Sequence, residues 1–210
     1  MLIERLKNKF GYNIPIFTEE ILECMKDYSK QRVYQLINNS VNKNELVRFD
    51  KGVYYLPTTT IIGKSTISIE EVAIKKYIKK DNNIFGIFGK NVLDLNFMIT
   101  TQVPNALEII TNNESRELRE VEIKGRKFIL RKSRTKITND NVYTYTILEL
   151  FNGIKLNQCN EIPFSKKFIV DYIKENKITY NDISQMANFF PAKAMKNLII
   201  SGVLYEITQQ

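Results

Sequence analysis

Two β-rich runs, Leu46-Val47-Arg48-Phe49 and Val53-Tyr54-Tyr55-Leu56, stand on either side of Asp50-Lys51-Gly52. Branched and aromatic residues flanking a short Gly-containing turn make a hairpin. What precedes that hairpin narrows the fold. A short helix is predicted over Leu2 to Lys9, ended by Gly11. Thr18 is positioned to cap a second helix carrying Ile21, Leu22 and Met25, with Phe17 stapled onto Leu22. Ser29 is positioned to cap a third, reaching Asn42, with Tyr28 stapled onto Val33. Along it Val33, Leu36, Ile37 and Val41 recur at helical spacing and form one apolar stripe, and Pro57 ends the unit. Three helices followed by a hairpin is the layout of a winged helix-turn-helix.

In that geometry the helix opened by Ser29 lies in the major groove of DNA, where its first turns reach base edges. Lys30, Gln31, Tyr34, Gln35 and Asn38 face away from the apolar stripe. Gln31, Gln35 and Asn38 suit adenine edges, and Lys30 and Arg32 suit guanine or phosphate. On the wing, Arg48 and Lys51 would meet backbone phosphates, positioning the protein without reading sequence. The candidate DNA contacts are therefore Ser29, Lys30, Gln31, Arg32, Tyr34, Gln35, Asn38, Arg48 and Lys51. The competing reading is a winged helix that serves as a protein-binding module.

Beyond Pro57 the pattern changes. Residues 58–65 read as a linker, and residues 66–210 as a second domain. Ser68-Ile69-Glu70-Glu71 is a capping box opening a helix to about Lys80. Gly86 and Gly89 mark loops before a short helix around Val92 to Phe97, and Leu107 to Thr111 reads as a strand. Val121-Glu122-Ile123 and Phe128-Ile129-Leu130 bracket Lys124-Gly125 as a second hairpin. A helix with Tyr143, Ile147, Leu150 and Phe151 on one side stops at Gly153. The C-terminal part is helical in three pieces, about Ser165 to Glu175, Asn181 to Asn188 and Pro191 to Ser201, with a strand closing the chain after Gly202. The expected fold class is α/β (α+β): an N-terminal winged helix-turn-helix in residues 1–57, then a mixed α/β domain with a helical C-terminus.

The formal net charge of +8 is unevenly spread. Residues 1–64 carry +3 and residues 113–138 carry +5, while the remaining stretches are neutral. The second basic block, Arg116, Arg119, Lys124, Arg126, Lys127, Arg131, Lys132, Arg134 and Lys136, is either a further contact for nucleic acid or a partner, or a solvated hairpin with a protected edge.

The wing phrase Glu45-Leu46-Val47-Arg48-Phe49-Asp50-Lys51-Gly52-Val53-Tyr54-Tyr55-Leu56-Pro57 resembles the winged helix of AbiEi-type antitoxins of type IV toxin–antitoxin systems, with Lys51 where those proteins carry arginine. Thr100-Thr101-Gln102-Val103-Pro104-Asn105 and the hairpin from Val121 to Lys132 are similar to that family's following domain. The resemblance implies a repressor of its own operon, whose partners are operator DNA and a nucleotidyltransferase toxin. The C-terminal domain would counteract the toxin without forming a stable complex with it. A plain winged-helix regulator with a ligand- or partner-binding domain is the alternative.

Composition excludes several chemistries. The chain has no histidine, which removes Ser-His and Cys-His catalysis and histidine-ligated metals. Its two cysteines, Cys24 and Cys159, cannot build a Cys₄ zinc site or a disulfide framework, and Cys24 reads as core. Glu122-Ile123-Lys124 has the E-x-K spacing of metal-dependent nucleases of the PD-(D/E)xK type. That chemistry needs a second carboxylate from a neighbouring strand, and between Asp94 and Glu122 there is no aspartate. Gly63-Lys64-Ser65 matches the end of a P-loop, but the earlier glycine would fall at Thr58. The expectation is a non-enzymatic cytoplasmic protein that needs no cofactor or metal and has no membrane span or signal peptide.

Overall fold

Leu2 and Leu6, one helical turn apart and both buried, anchor the first helix, α1 (Leu2–Phe10), which ends where Gly11 adopts a φ of 77°. The computed structural model describes residues 1–61, 63–155 and 163–208, with ten helices and eleven short strands among them. The fold is α/β. The chain divides into two units, residues 1–76 with 123–126, and residues 77–122 with 127–210.

In the first unit α1 is followed by β1 (Ile16–Phe17), α2 (Thr18–Cys24), α3 (Lys30–Asn42), β2 (Val47–Asp50) and β3 (Val53–Tyr55). The three strands form one antiparallel sheet in the order β1-β3-β2, with Ile16 opposite Tyr54 and Val47 opposite Tyr55. Leu6, Ile16, Ile21, Met25, Val33, Ile37, Leu46 and Leu56 fill the core between helices and sheet. Each such side chain contributes about 1.5–3 kcal/mol when fully buried. Cys24 is half-buried against this core, and Cys159 lies outside the described residues.

Three local expectations need correction here. Thr18 does not cap α2; it is the first helical residue, and its N–H and hydroxyl both donate to the Gly52 carbonyl, at 3.0 and 3.2 Å. The strand β1 runs directly into the helix, so the capping acceptor is the Glu20 carboxylate, 2.9 Å from the Phe17 N–H. Residues 58–65 are not a bare linker. They hold a small hairpin, β4 (Thr59–Thr60) and β5 (Gly63–Lys64), tied to Asn13 through the Thr58 and Ser65 hydroxyls. The first unit therefore continues through α4 (Ile69–Tyr77), whose Lys75 ammonium reaches the Pro15 carbonyl and Glu20, at 2.6 and 3.0 Å. The Ser68 box forms as predicted, but α4 stops short of Lys80. Lys79–Lys80 (β6) pairs instead with Asn83–Ile84 (β7) around Asp81, which has a φ of 53°.

The second unit is built on a four-stranded sheet of β8 (Gly86–Phe88), β9 (Leu107–Thr111), β10 (Leu118–Ile123) and β11 (Arg126–Lys132), in the order β10-β11-β9-β8. β9 runs parallel to β11 and antiparallel to β8. Gly86 lies within a strand, not in a loop, because only a residue without Cβ fits there: an added Cβ would overlap the Tyr77 carbonyl and come 2.8 Å from that of Ile110. The β10–β11 turn is Lys124-Gly125, both at positive φ (47° and 84°), as a two-residue hairpin of type I′ requires. Its residues 123–126 are counted with the first unit.

Around the sheet come α5 (Lys90–Asn96), α6 (Val142–Gly153), α7 (Pro163–Glu175), α8 (Tyr180–Ala187), α9 (Ala192–Ile200) and α10 (Val203–Thr208). α6 is the hub, with Thr144 through Phe151 all buried. Asn197 of α9, itself fully buried, closes the end of α6 by donating to the Phe151 and Ile154 carbonyls at 2.8 and 2.9 Å. The expected closing strand is helix α10, because Val203 and Ile207 face the core four residues apart.

Candidate nucleic-acid interface

The Ser29 side chain accepts from the Arg32 N–H at 3.3 Å and so opens α3 as the sequence predicts. Val33, Ile37 and Ser40 are buried, with Leu36 and Val41 half-buried beside them. That anchored stripe fixes the opposite face. Ser29, Lys30, Gln31, Arg32, Tyr34, Gln35 and Asn38 are all exposed, and α3 contains no acidic residue. The helix dipole and two cations thus act in the same sense at its N-terminal end. Arg32 Nη1 donates to Gln35 Oε1 at 3.3 Å. That contact uses one lone pair of the Gln35 amide oxygen and leaves the second lone pair and the NH₂ group for a base.

On the hairpin, Arg48 and Lys51 are exposed. Arg48 Nε lies 3.4 Å from the Asp50 carbonyl. The Asp50 carboxylate accepts from the backbone N–H groups of Lys51 (2.7 Å) and Lys124 (3.0 Å), so the one acid of this turn is engaged by main-chain donors. A bulge between Arg48 and Asp50 shifts the register at the turn.

The second basic block is not a uniform patch. Arg119 pairs with Glu114, Arg126 with Glu70 and Arg131 with Glu108, each at 2.7 Å. Arg131 and Arg134 flank Glu149 at 3.4 and 3.6 Å. Lys124 holds its ammonium 4.3 Å over the Phe49 ring. Arg116, Lys127, Lys132 and Lys136 are exposed and have no ion-pair partner among the described residues.

These pairings perturb the carboxylates in opposite directions. The Arg116 N–H, assisted by the Arg119 guanidinium, holds the Glu114 carboxyl below its ordinary range. Burial pushes Glu149 above its ordinary value despite its two arginines, and its Oε2 has no hydrogen-bond partner among the described residues. Burial also pushes the Tyr145 phenol up to about 12.

The residues of the other motifs stand apart. Glu122 is exposed on β10, while Lys124 occupies the turn and points its ammonium at Phe49. Asp94 is buried in α5 and paired with Lys90. Among the described residues no three Cys, Asp or Glu side chains come together as a metal cluster. Lys64 donates to the Asn44 carbonyl, and Ser65 sits in the Asn13–Thr58 network.

Sequence reading missed Glu108, Glu149 and Phe189 as elements of the second block's surroundings. The available signal was Glu149 itself, a lone carboxylate in the otherwise apolar run Ile147-Leu148-Glu149-Leu150-Phe151. A charge in such a run demands a buried partner.

Residues 3–179 match the family of unknown function DUF6088, and the chain belongs to that family. No curated protein matches it.

Proposed function

We propose that this member of DUF6088 is a winged-helix DNA-binding protein that reads its operator through α3 and grips phosphate through Arg48 and Lys51. On this reading it represses its own operon, as an antitoxin of the AbiEi kind does, while the second unit counteracts a nucleotidyltransferase toxin. The observation that carries the DNA reading is the exposed, acid-free face of α3, held out by a buried stripe beside a three-stranded β1-β3-β2 sheet. Recognition helices of this class present polar and basic side chains from a helix whose other face is core. The antitoxin part rests on sequence resemblance, carried by the wing phrase, by Thr100 to Asn105 and by the hairpin from Val121 to Lys132.

The test compares binding of the full chain to its own promoter fragment and to random duplex by fluorescence anisotropy. Gln35→Ala with Asn38→Ala weakens promoter binding by about 1–3 kcal/mol per lost base contact and leaves random-DNA binding nearly unchanged. Equal losses on both duplexes would show that α3 does not read bases. In cells, Arg32→Ala with Gln35→Ala abolishes repression in a promoter fusion but still rescues growth when the toxin is induced independently. Loss of rescue in a variant with an intact circular dichroism spectrum would refute the division of labour between the two units.

A further inference from the structure

Within the second unit, Arg131, Lys132, Ser133, Arg134, Glu117 and Phe189 line an open cleft of about 330 Å³. Its cations are held from behind. Arg131 spends Nη1 on Glu108 and Glu149, and its Nε and Nη2 make no other hydrogen bond among the described residues. Arg134 is fixed three ways: its N–H donates to the Tyr145 hydroxyl at 2.9 Å, its guanidinium lies 5.6 Å from the Phe190 ring centre, and its Nε stands 3.6 Å from Glu149. Ser133 donates to Asn112 Oδ1 at 2.9 Å, leaving its oxygen lone pairs as acceptors. Lys132 is exposed and has no ion-pair partner among the described residues.

Guanidinium groups fixed by buried carboxylates present N–H donors at set positions, an arrangement suited to phosphate oxygens. Phe189 adds a different chemistry. Its side chain is 54% exposed, a high value for a phenylalanine beside a buried Phe190, and it also lines a neighbouring cleft of about 250 Å³ with Asp140 and Gln185. An aromatic ring between a donor-rich cleft and a polar one can stack a nucleobase whose edge faces Asp140 and Gln185.

We propose that this pair of clefts binds a nucleoside phosphate, with the phosphate chain on Arg131, Lys132 and Arg134 and the base stacked on Phe189. Glu108, Glu117 and Glu149 offset the three cations, so recognition comes from directed donors and stacking rather than from net charge. Affinity for the phosphate chain is accordingly modest and only weakly dependent on salt. The proposal is independent of DNA binding by α3, which uses other residues.

The test is calorimetric titration of the full chain with ATP, GTP, CTP and UTP, alongside inorganic triphosphate, adenosine, AMP and the dinucleotide pApA. Phe189→Ala weakens ATP binding by roughly 5–100-fold, the range lost with one stacked base, and leaves inorganic triphosphate unchanged. Lys132→Ala weakens ATP and triphosphate alike and leaves adenosine unchanged. Both side chains are exposed, so circular dichroism and promoter binding by the Phe189 variant stay as in the parent. Absence of saturable nucleotide binding at millimolar concentration would overturn the proposal. So would ATP affinity unaffected by either substitution, and pApA binding more than tenfold tighter than AMP would overturn the assignment to a free nucleotide.

Discussion

Neutralising Arg116, Lys127 and Lys136 together separates the charge that is available from the charge already spent. Nine cations lie between residues 113 and 138, yet Arg119, Arg126, Arg131 and Arg134 are engaged by carboxylates and Lys124 by an aromatic face. Lys132 belongs to the nucleoside phosphate cleft, which leaves these three as the block's cations without an ion-pair partner among the described residues. If all three touch phosphate, each releases about 0.9 counterion, and the plot of log affinity against log salt flattens by about 2.7 units. Across a fourfold rise in salt that difference amounts to ~40-fold in affinity, well within the reach of fluorescence anisotropy. The matching control is Arg119→Gln with Arg126→Gln, which removes paired charges; it leaves the slope within about one unit and costs stability in urea instead. An unchanged slope in the triple variant would refute DNA contact by this block. A slope that falls equally in the control would refute the reasoning that ion-paired arginines are spent.

Four further outcomes follow from the second unit. Burial raises the Glu149 pKa above its unfolded value, so its ionisation opposes folding: the penalty is absent below the ordinary glutamate range and grows as pH rises toward the raised value. Urea unfolding across that window should show the wild-type chain losing stability relative to Glu149→Gln, and parallel curves would refute the assignment. Glu114 is shifted the other way, so its stabilisation is present above the ordinary glutamate range and is lost as pH falls; Glu114→Gln should remove that loss in the same assay. Asn197→Leu removes the amide donor from two buried carbonyls at the end of α6, at about 1–3 kcal/mol for each group left unsatisfied, and thermal unfolding would report it. Gly86→Ala forces β8 away from the Tyr77 and Ile110 carbonyls, an overpacking cost of ~1–3 kcal/mol by the same measurement.

Elements with a local cause were legible in the sequence. The Ser29 cap, the Ser68 capping box and the Lys124-Gly125 turn all form where their residues predict, because each is completed within a few positions of chain. Features completed by distant residues were not. β1 is only Ile16–Phe17, too short for any periodicity, and exists because β3 is there to pair with it. Thr18 looks like a helix cap until Gly52, thirty-four positions later, supplies a carbonyl for its hydroxyl. Val203 to Thr208 has the branched and aromatic residues of a strand, and only the core that receives Val203 and Ile207 makes it a helix. In each case tertiary packing overrides a local preference worth on the order of 1 kcal/mol per residue.

The candidate site divides along the same line. Counting charge within a window treats every cation as free, and that holds only when its partners lie inside the window. For α3 it holds: the helix has no acid, and Lys30 and Arg32 carry no carboxylate partner among the described residues. For the second block it fails, because Glu70, Glu108 and Glu149 come from outside the stretch that was counted. A net +5 in sequence is therefore compatible with few free cations in space, whereas the smaller surplus of the first block leaves the cations of α3 exposed. The apolar run around Glu149 marks a buried carboxylate but does not name its partner, which depends on α6 lying against the strand that carries Arg131. The same fold that spends those arginines also sets their remaining N–H groups in fixed positions. What the block loses as a diffuse attractor for DNA, it gains as a built site for a small anion with a base attached.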